Sequence, residues 1–154
     1  MYLEITIGIV ITATILFFIY DFQLKKKKKA KEAHMIDIIN QYGKIEHRGH
    51  KIYFTTPKQT YQVLFYYIPV NGDLTINSKI VWEIRSSSKN ILVDQRHFLS
   101  GEMTKLVIVY PTSVVIKRYI NENEMVFVKA TDRFHNMHVI RHFELDGVLK
   151  EGVF

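Results

Sequence analysis

The chain has 154 residues, of which 47% are hydrophobic and 23% charged, an ordinary composition for a globular protein. It contains no cysteine, which excludes disulfide bonds, thiolate metal sites and cysteine nucleophiles. Its net charge of +6 is uneven, because residues 1–31 contain six lysines and two acidic residues. The other 123 residues carry 15 basic and 13 acidic groups, a balance that argues against nucleic acid as a partner.

The first feature along the chain is an apolar segment, Ile5–Tyr20, without a charged residue, Asn, Gln or Pro. Extended to Tyr2–Leu24, it is roughly 34 Å long as a helix, enough for a hydrocarbon core of about 30 Å. Glu4 and Asp21 then fall near the two interfaces. A signal peptide and a buried core helix are the alternatives, but lysines follow the segment instead of preceding it, and its polar residues are threonines. We therefore predict a transmembrane anchor over residues 1–24.

A run of lysines follows the apolar segment: Lys25, Lys26, Lys27, Lys28, Lys29 and Lys31. The positive-inside rule places this flank in the cytoplasm and the N-terminus outside. The run also suits anionic lipid headgroups, since each lysine near an anionic leaflet contributes about 1 kcal/mol. Helix-forming residues continue from it, so we predict a basic juxtamembrane helix over residues 25–43 that ends at Gly43. The sequence leaves open whether this helix is continuous with the anchor.

From Lys44 onward, β-branched and aromatic residues alternate with turn signals. Strands are predicted at Lys51–Thr55, Tyr61–Ile68, Leu74–Ile76, Ile80–Ile84, Lys105–Tyr110, Met125–Lys129 and Met137–Leu145. Two segments stay ambiguous, because Ile91–Asp94 fits a strand or the first turn of a helix, and residues 112–120 fit a helix or a strand. The pattern predicts an α+β fold, in which a cytosolic domain of residues 44–154 contains one mixed β-sheet, with Trp82 buried, and a few helices.

The densest group of side chains able to bind a metal is formed by His135, His138 and His142. On a strand over residues 137–145, the second and third histidines would share a polar, solvent-facing side, opposite a core side that includes Phe143. Their spacing lacks the tight ligand motif of a zinc site. A solvated strand edge is the simpler interpretation, so we predict no metal and no cofactor. The segment His47–His50 is interpreted as a turn.

Two further patterns suggest hydrolytic chemistry. Asp73, Glu83 and Arg85 partly match the arrangement of PD-(D/E)xK nucleases, which pair an acid with an acid-x-Lys segment, but arginine stands in place of the lysine. The segment Thr131–His135 resembles a stretch of phospholipase-D-like domains. The signature of that family requires a lysine where this chain has Met137. Both patterns are therefore incomplete.

A broader resemblance rests on three stretches, Leu74–Ser78, Ile80–Glu83 and Ile116–Glu124. They resemble stretches of uncharacterised, membrane-anchored small bacterial proteins. The resemblance implies an anchored architecture and no particular activity. Within the third stretch, the polar tetrad Asn121–Glu124 is interpreted as a turn.

These observations predict a single-pass membrane protein with a small cytosolic binding or scaffold domain. Its partners would be the lipid bilayer, anionic lipid headgroups and a protein that the sequence does not identify. The less favoured alternative is a membrane-tethered, metal-dependent hydrolase, nuclease-like or phosphodiesterase-like, which would use the histidines or the acidic pair described above. A third alternative is a subunit of a larger membrane assembly, whose helix face with Gly8, Thr12 and Thr14 would pack against another helix.

Overall fold

The structure, a computed structural model, describes residues 2–87, 89–111 and 115–153. The chain divides into two compact units, Met1–His34 and Met35–Phe154. Helix α1, Tyr2–Asn40, runs through the first unit and continues into the second. It is helical throughout the lysine run, so the apolar segment and the basic segment that follows it form one continuous helix. The helix ends three residues before Gly43, and the residues between them form a turn.

The first unit exposes apolar side chains that a helix of a soluble protein would bury. Phe17, Phe18 and Phe22 are 66–69% exposed. The segment Ile5–Asn40 is long and apolar enough to cross a membrane, and 0% of its most apolar window is buried. A buried core helix is therefore excluded for this segment. The length, apolar composition and exposure of this segment are features that transmembrane anchors and N-terminal signal sequences share.

The second unit contains the β-structure. Its strands are β1 Lys44–Arg48, β2 Lys51–Thr55, β3 Thr60–Ile68, β4 Asp73–Ile76, β5 Val81–Arg85, β6 Asn90–Asp94, β7 Lys105–Pro111, β8 Ile116–Asn121, β9 Glu124–Phe127 and β10 Met137–Arg141. Two short helices, α2 Arg96–Leu99 and α3 Leu145–Lys150, complete it. Six of the seven predicted strands are thus confirmed with end shifts of at most two residues, whereas the seventh, Met137–Leu145, extends beyond the observed β10.

These strands form two five-stranded sheets, and the prediction of a single sheet is wrong. Sheet A has the order β1-β2-β3-β7-β10, with antiparallel pairs up to β3 and parallel pairs beyond it. Sheet B has the order β6-β5-β4-β8-β9, in which only β4 and β8 are parallel. The α+β class is confirmed. The number of sheets depends on which distant strands pair, and strand periodicity carries no information about that pairing.

The centre of the fold is β7, which is buried on both faces. Leu106, Ile108 and Tyr110 face a layer made by the end of α1 and by α3. Val107 and Val109 face sheet B. An apolar run without alternation is typical of a parallel strand that is covered on both sides. The second unit therefore has three layers: helices, sheet A and sheet B.

Sheet B buries one face and exposes the other. Trp82 on β5 is fully buried and contacts the ring of Tyr66 edge to face, with 5.2 Å between the ring centroids. This confirms the predicted burial of the tryptophan. The opposite face carries one cross-strand row, Leu92, Glu83, Thr75, Lys117 and Phe127. The two apolar ends of that row are each 66% exposed.

Several local predictions are corrected or resolved. The segment Ile91–Asp94 belongs to a strand, and a separate short helix, α2, follows it. Within residues 112–120, the described part is strand from Ile116 onward, while 112–114 lie outside the described residues. The segment His47–His50 is strand for its first two residues and turn for the others. The sequence lacks the strict alternation that would have marked that edge strand.

The predicted strand Met137–Leu145 is too long by four residues. Its chain turns after Arg141, where the guanidinium forms an ion pair with Glu144 at 3.1 Å. The carboxylate of Glu144 also accepts a hydrogen bond from the backbone N–H of Arg141. These contacts close the turn that leads into α3, and Phe143, predicted on the core side, is 63% exposed.

We expect β7 to dominate the stability of the fold. Ile108→Ala removes a fully buried side chain and should lower the free energy of unfolding by about 2–5 kcal/mol. Leu92→Ala, a matched truncation at a 66% exposed position, should change it by less than about 0.5 kcal/mol. Denaturant unfolding of the full chain in detergent, followed by the fluorescence of Trp82, measures both. Equal losses would contradict the central role of β7.

One charged residue, Lys105, is buried at the start of β7, with 2% of its surface exposed. Its ammonium group donates hydrogen bonds to Gln62 Oε1 at 2.7 Å and to the carbonyl oxygen of Ser100 at 3.0 Å. Burial lowers its pKa, and the nearby charges of Lys51 and Lys79 lower it further. A base whose pKa falls on folding binds fewer protons in the folded state. The free energy of unfolding therefore rises with pH between the lowered pKa and the usual lysine value of about 10.4.

Lys105→Met should abolish this contribution to the pH dependence. We expect the stability of the wild type relative to the variant to increase as the pH rises toward the usual lysine pKa of about 10.4. Urea unfolding of both proteins across that range measures the difference. Parallel pH profiles would show that Lys105 does not titrate differently in the folded and unfolded states.

Candidate functional site

An open cleft of about 460 Å³ lies at one end of sheet B. Three turns meet there: the turn between β4 and β5, the turn between β8 and β9, and the turn that precedes β10. The cleft is lined by Asn77, Ser78, Lys79, Tyr119, Ile120, Asn121, Glu122 and His135. Polar and charged side chains from separate parts of the chain thus share one concave surface, as in many binding sites.

The turn that precedes β10 is a tight two-residue loop between Phe134 and Met137, which exchange both backbone hydrogen bonds. Its central residues, His135 and Asn136, have φ values of 49° and 58°. Turns of this kind require the left-handed conformation at both central positions, and Asn and His are among the residues that adopt it most readily.

The structural role of Asn136 is clear from its contacts. Its side-chain amide donates a hydrogen bond to the carbonyl oxygen of Glu102 at 2.6 Å. The side-chain oxygen Oδ1 of Asn136 accepts hydrogen bonds from Arg133 Nη2 at 2.7 Å and from Thr104 Oγ1 at 3.4 Å. These bonds tie the turn to the loop that precedes β7. They account for an asparagine at this strained position.

The neighbouring His135 has a different environment. Its side chain is exposed and lines the cleft, and its ring contacts that of Phe134 with 5.7 Å between the centroids. Partial desolvation of the imidazole lowers its pKa, and the positive charges of Arg118 and Lys79 lower it further. The imidazole therefore lies within the electrostatic range of two cations. Unlike Asn136, it has a left-handed backbone for which the described residues show no network of side-chain hydrogen bonds.

The cleft wall formed by the β4–β5 turn is held by backbone contacts. The N–H groups of Asn77 and Ser78 both donate to the carbonyl oxygen of Val81 at 3.1 Å. The hydroxyl oxygen of Ser78 accepts a hydrogen bond from the N–H of Val81. This arrangement leaves Lys79 exposed at the tip of the turn.

The β8–β9 turn confirms the prediction for the Asn121–Glu124 tetrad. Asn121 Nδ2 donates a hydrogen bond to Glu124 Oε2 at 3.2 Å, and its Oδ1 accepts one from the N–H of Asn123 at 3.0 Å. These two bonds close the hairpin. They leave the carboxylate of Glu122 at the cleft, where it is the acidic group among the lining residues.

Arg118, which is not among the residues that line the cleft, lies on the inner face of β8 beside Ile76. Its guanidinium carbon is 4.7 Å from the centroid of the Phe134 ring, a cation–π contact. Among the described residues, its Nε atom is buried without a hydrogen-bond partner. The aromatic ring therefore contributes to holding this cation in place.

The three histidines considered as metal ligands lie in different environments. His138 is buried on β10 beside the ring of Tyr61, so its predicted solvent-facing position is wrong. Burial lowers the pKa of His138, and the charge of Arg133 lowers it further. His142 follows the end of that strand at Arg141.

Within the described residues, no group of three or more His, Cys, Asp or Glu side chains is placed to hold a metal ion. Asp73 pairs across the strands with Arg85, whose guanidinium lies 3.3 Å from the carboxylate of Glu83. The nuclease-like residues are thus neighbours on the exposed face of sheet B, where the arginine neutralises the second carboxylate. The phospholipase-like segment 131–135 ends in the turn that places His135 at the cleft.

Comparisons of this chain with protein-family models, with curated proteins and with solved structures find no match. The resemblance to membrane-anchored bacterial proteins therefore stays a prediction.

Two glycine substitutions in the same turn should show which of its two central side chains stabilises the fold. Asn136→Gly keeps the left-handed backbone favourable but removes the contacts to Glu102, Arg133 and Thr104, so we expect a loss of about 1–3 kcal/mol in the free energy of unfolding. His135→Gly removes no such contacts and relieves a positive φ, so stability should stay within about 1 kcal/mol of the wild type or rise. Thermal and urea unfolding of the full chain measure both. A large loss in His135→Gly would give that side chain a structural role.

Proposed function

We propose that this chain is a single-pass membrane protein whose N-terminal helix tethers a small cytosolic binding domain. The observation that carries the proposal is the exposure of the apolar helix. Ile9, Phe17 and Phe22 are 64–69% exposed, and such a surface would be costly in water. A bilayer is the environment that removes this cost.

The charges at the end of the apolar segment support a transmembrane helix. Asp21 forms an ion pair with Lys25 at 2.6 Å, one helical turn further on. A paired carboxylate at the interface costs less than a free one in the bilayer. The lysines from Lys25 to Lys31 can extend their ammonium groups into the headgroup region. The same residues favour a cytoplasmic location for the second unit through the positive-inside rule.

The binding role of the domain is supported by the cleft. Three turns bring an imidazole, an ammonium group, amides and a carboxylate to one open surface. The described residues contain no group of side chains suited to a catalytic metal. The hydrolase alternative therefore lacks an observation that favours it over binding.

The alternative of helix packing in a larger assembly is also without specific support. The hydroxyl groups of Thr12 and Thr14 donate to the carbonyl oxygens of Gly8 and Val10, at 2.9 and 2.8 Å. These hydroxyls are satisfied within their own helix and need no partner helix. The helix is thus suited to lipid as it stands.

Because the chain contains no cysteine, single introduced cysteines can test the topology. We expect a membrane-impermeant maleimide to label Tyr2→Cys in intact cells. The matched variant Ser87→Cys, exposed in the second unit, should be labelled only after the membrane is permeabilised. Both variants should stay in the membrane fraction after alkaline washing.

Two outcomes would contradict the proposal. Loss of the cysteine at position 2 from the mature chain would identify a cleaved signal sequence. Labelling of Ser87→Cys in intact cells, with Tyr2→Cys protected, would reverse the orientation.

A further inference from the structure

Within the described residues, the two sheets end in four edge strands: β1 and β10 in sheet A, β6 and β9 in sheet B. Three of these edges are protected against pairing with a further strand. Strand β10 is buried over its first four residues, and β9 has only four residues and an irregular register with β8. Strand β1 is charged at three of its five positions, Lys44, Glu46 and Arg48. Coverage, short length, irregularity and charge are devices that keep a sheet edge from pairing.

Strand β6 is the edge without such protection. Its three central residues are Ile91, Leu92 and Val93, and the strand contains no lysine, arginine or proline. Leu92 is 66% exposed on the outer face of sheet B and Ile91 is 38% exposed, whereas Val93 packs against the buried cluster beneath the sheet. An exposed apolar edge of this kind is a template for another strand.

The backbone of β6 directs alternate residues toward its free edge. Residues of an antiparallel pair alternate between those that exchange backbone hydrogen bonds with the neighbouring strand and those that point away from it. Bonds at both ends of the β5–β6 pair fix this alternation, because the carbonyl oxygen of Lys89 accepts from Ser86 at 2.9 Å and the N–H of Gln95 donates to Ile80 at 2.7 Å. The odd-numbered residues therefore face β5. The N–H and C=O groups of three residues point to the free edge: Asn90, Leu92 and Asp94.

The strand is complementary to itself about Leu92. In an antiparallel pair of two β6 strands centred there, Leu92 lies opposite its own copy and Asn90 lies opposite Asp94. The residues whose backbone groups point outward are then opposite one another, so all three pairs of the ladder exchange backbone hydrogen bonds. Ile91 lies opposite Val93 on the inner face. This register opposes no like charges.

We propose that β6 pairs with β6 of a second copy of this chain, antiparallel and centred on Leu92, so that two sheets B join across a two-fold axis. An isologous contact of this kind uses the same surface of both copies. The cross-strand pair of leucines is covered on the outer face, and the core of sheet B continues from Val93 to Ile91 of the other copy. The proposal concerns a surface other than the cleft and does not depend on the membrane anchor.

The size of the contact sets the affinity to expect. Five residues from each copy form a contact much smaller than the roughly 800 Å² per partner of a standard stable interface. Main-chain hydrogen bonds would supply most of the attraction, as in other cases of strand addition. We therefore expect a reversible dimer of modest affinity.

Substitutions at Leu92 test the proposal, because that residue lies on the two-fold axis. Leu92→Lys and Leu92→Glu each place like charges directly opposite one another, so each should weaken self-association about tenfold or more. An equimolar mixture of the two variants should restore association, because the charges are then opposite. Phe127→Lys, on the same face and also 66% exposed, lies at the other edge of the sheet and should leave association unchanged. Sedimentation equilibrium of the full chain in density-matched detergent measures all four samples, and Trp82 fluorescence during thermal unfolding checks that each variant is folded.

Cysteine cross-linking tests the register, since the chain has no cysteine of its own. The Cα atoms of an antiparallel hydrogen-bonded pair are about 5.5 Å apart, within the range of about 4.4–6.8 Å for a disulfide. Leu92→Cys should therefore form a covalent dimer under mild oxidation. Asn90→Cys, on the same strand, should not, because its two copies would lie four residues or roughly 13 Å apart along the strand.

Three results would overturn the proposal. The first is a wild type that stays monomeric up to roughly 100 µM, which would leave β6 to an extended segment of another protein. The second is a dimer that Leu92→Lys does not weaken, which would assign the contact to another surface such as the N-terminal helix. The third is equal cross-linking of Leu92→Cys and Asn90→Cys. Because cysteine labelling in cells tests the topology separately, these results would leave the proposed anchor intact.

Discussion

The burial of β7 on both faces is the constraint on which the architecture of the second unit depends. Its side chains alternate between the helical layer, which Ile108 faces, and sheet B, which Val107 faces. Each layer must supply apolar surface at the correct height, because protein interiors are closely packed. The layers therefore fix each other's position. The turns at the end of sheet B, which form the cleft, begin and end on strands that this packing fixes, and hydrogen bonds such as those of Asn121 and Asn136 hold their shape.

The sequence predicted the individual elements better than their association. Strand β2 was predicted with its observed bounds, Lys51–Thr55, because local composition and turn residues define it. The single sheet was wrong because β3 and β4 are consecutive strands that belong to different sheets. Only the parallel partners of these strands, β7 and β8, reveal the division, and each lies about 40 residues further along the chain. Contacts of that range leave no local pattern in the sequence.

The candidate site shows the same limit at the scale of single residues. His135 and the Asn121–Glu124 tetrad were both noticed as polar features, but nothing in their spacing joined them to Lys79. That association requires the parallel pairing of Ile76 with Arg118. The three histidines are separated for a local reason, because β10 ends at Arg141. His135 lies in the turn before this strand, His138 is buried on it, and His142 follows it. The positive φ values of His135 and Asn136, which define the turn, could not be predicted from composition alone.

Excess positive charge belongs mainly to the N-terminal helix. The lysines from Lys25 to Lys31 account for most of it, so the domain that follows is close to neutral. Four of the six arginines of the domain have a carboxylate oxygen within 3.5 Å, namely Arg48, Arg85, Arg96 and Arg141. Among the residues that line the cleft, the formal charges of Lys79 and Glu122 cancel. Any attraction of this chain to an anionic surface would therefore come from the helix, whereas recognition at the cleft would depend on hydrogen-bonding groups.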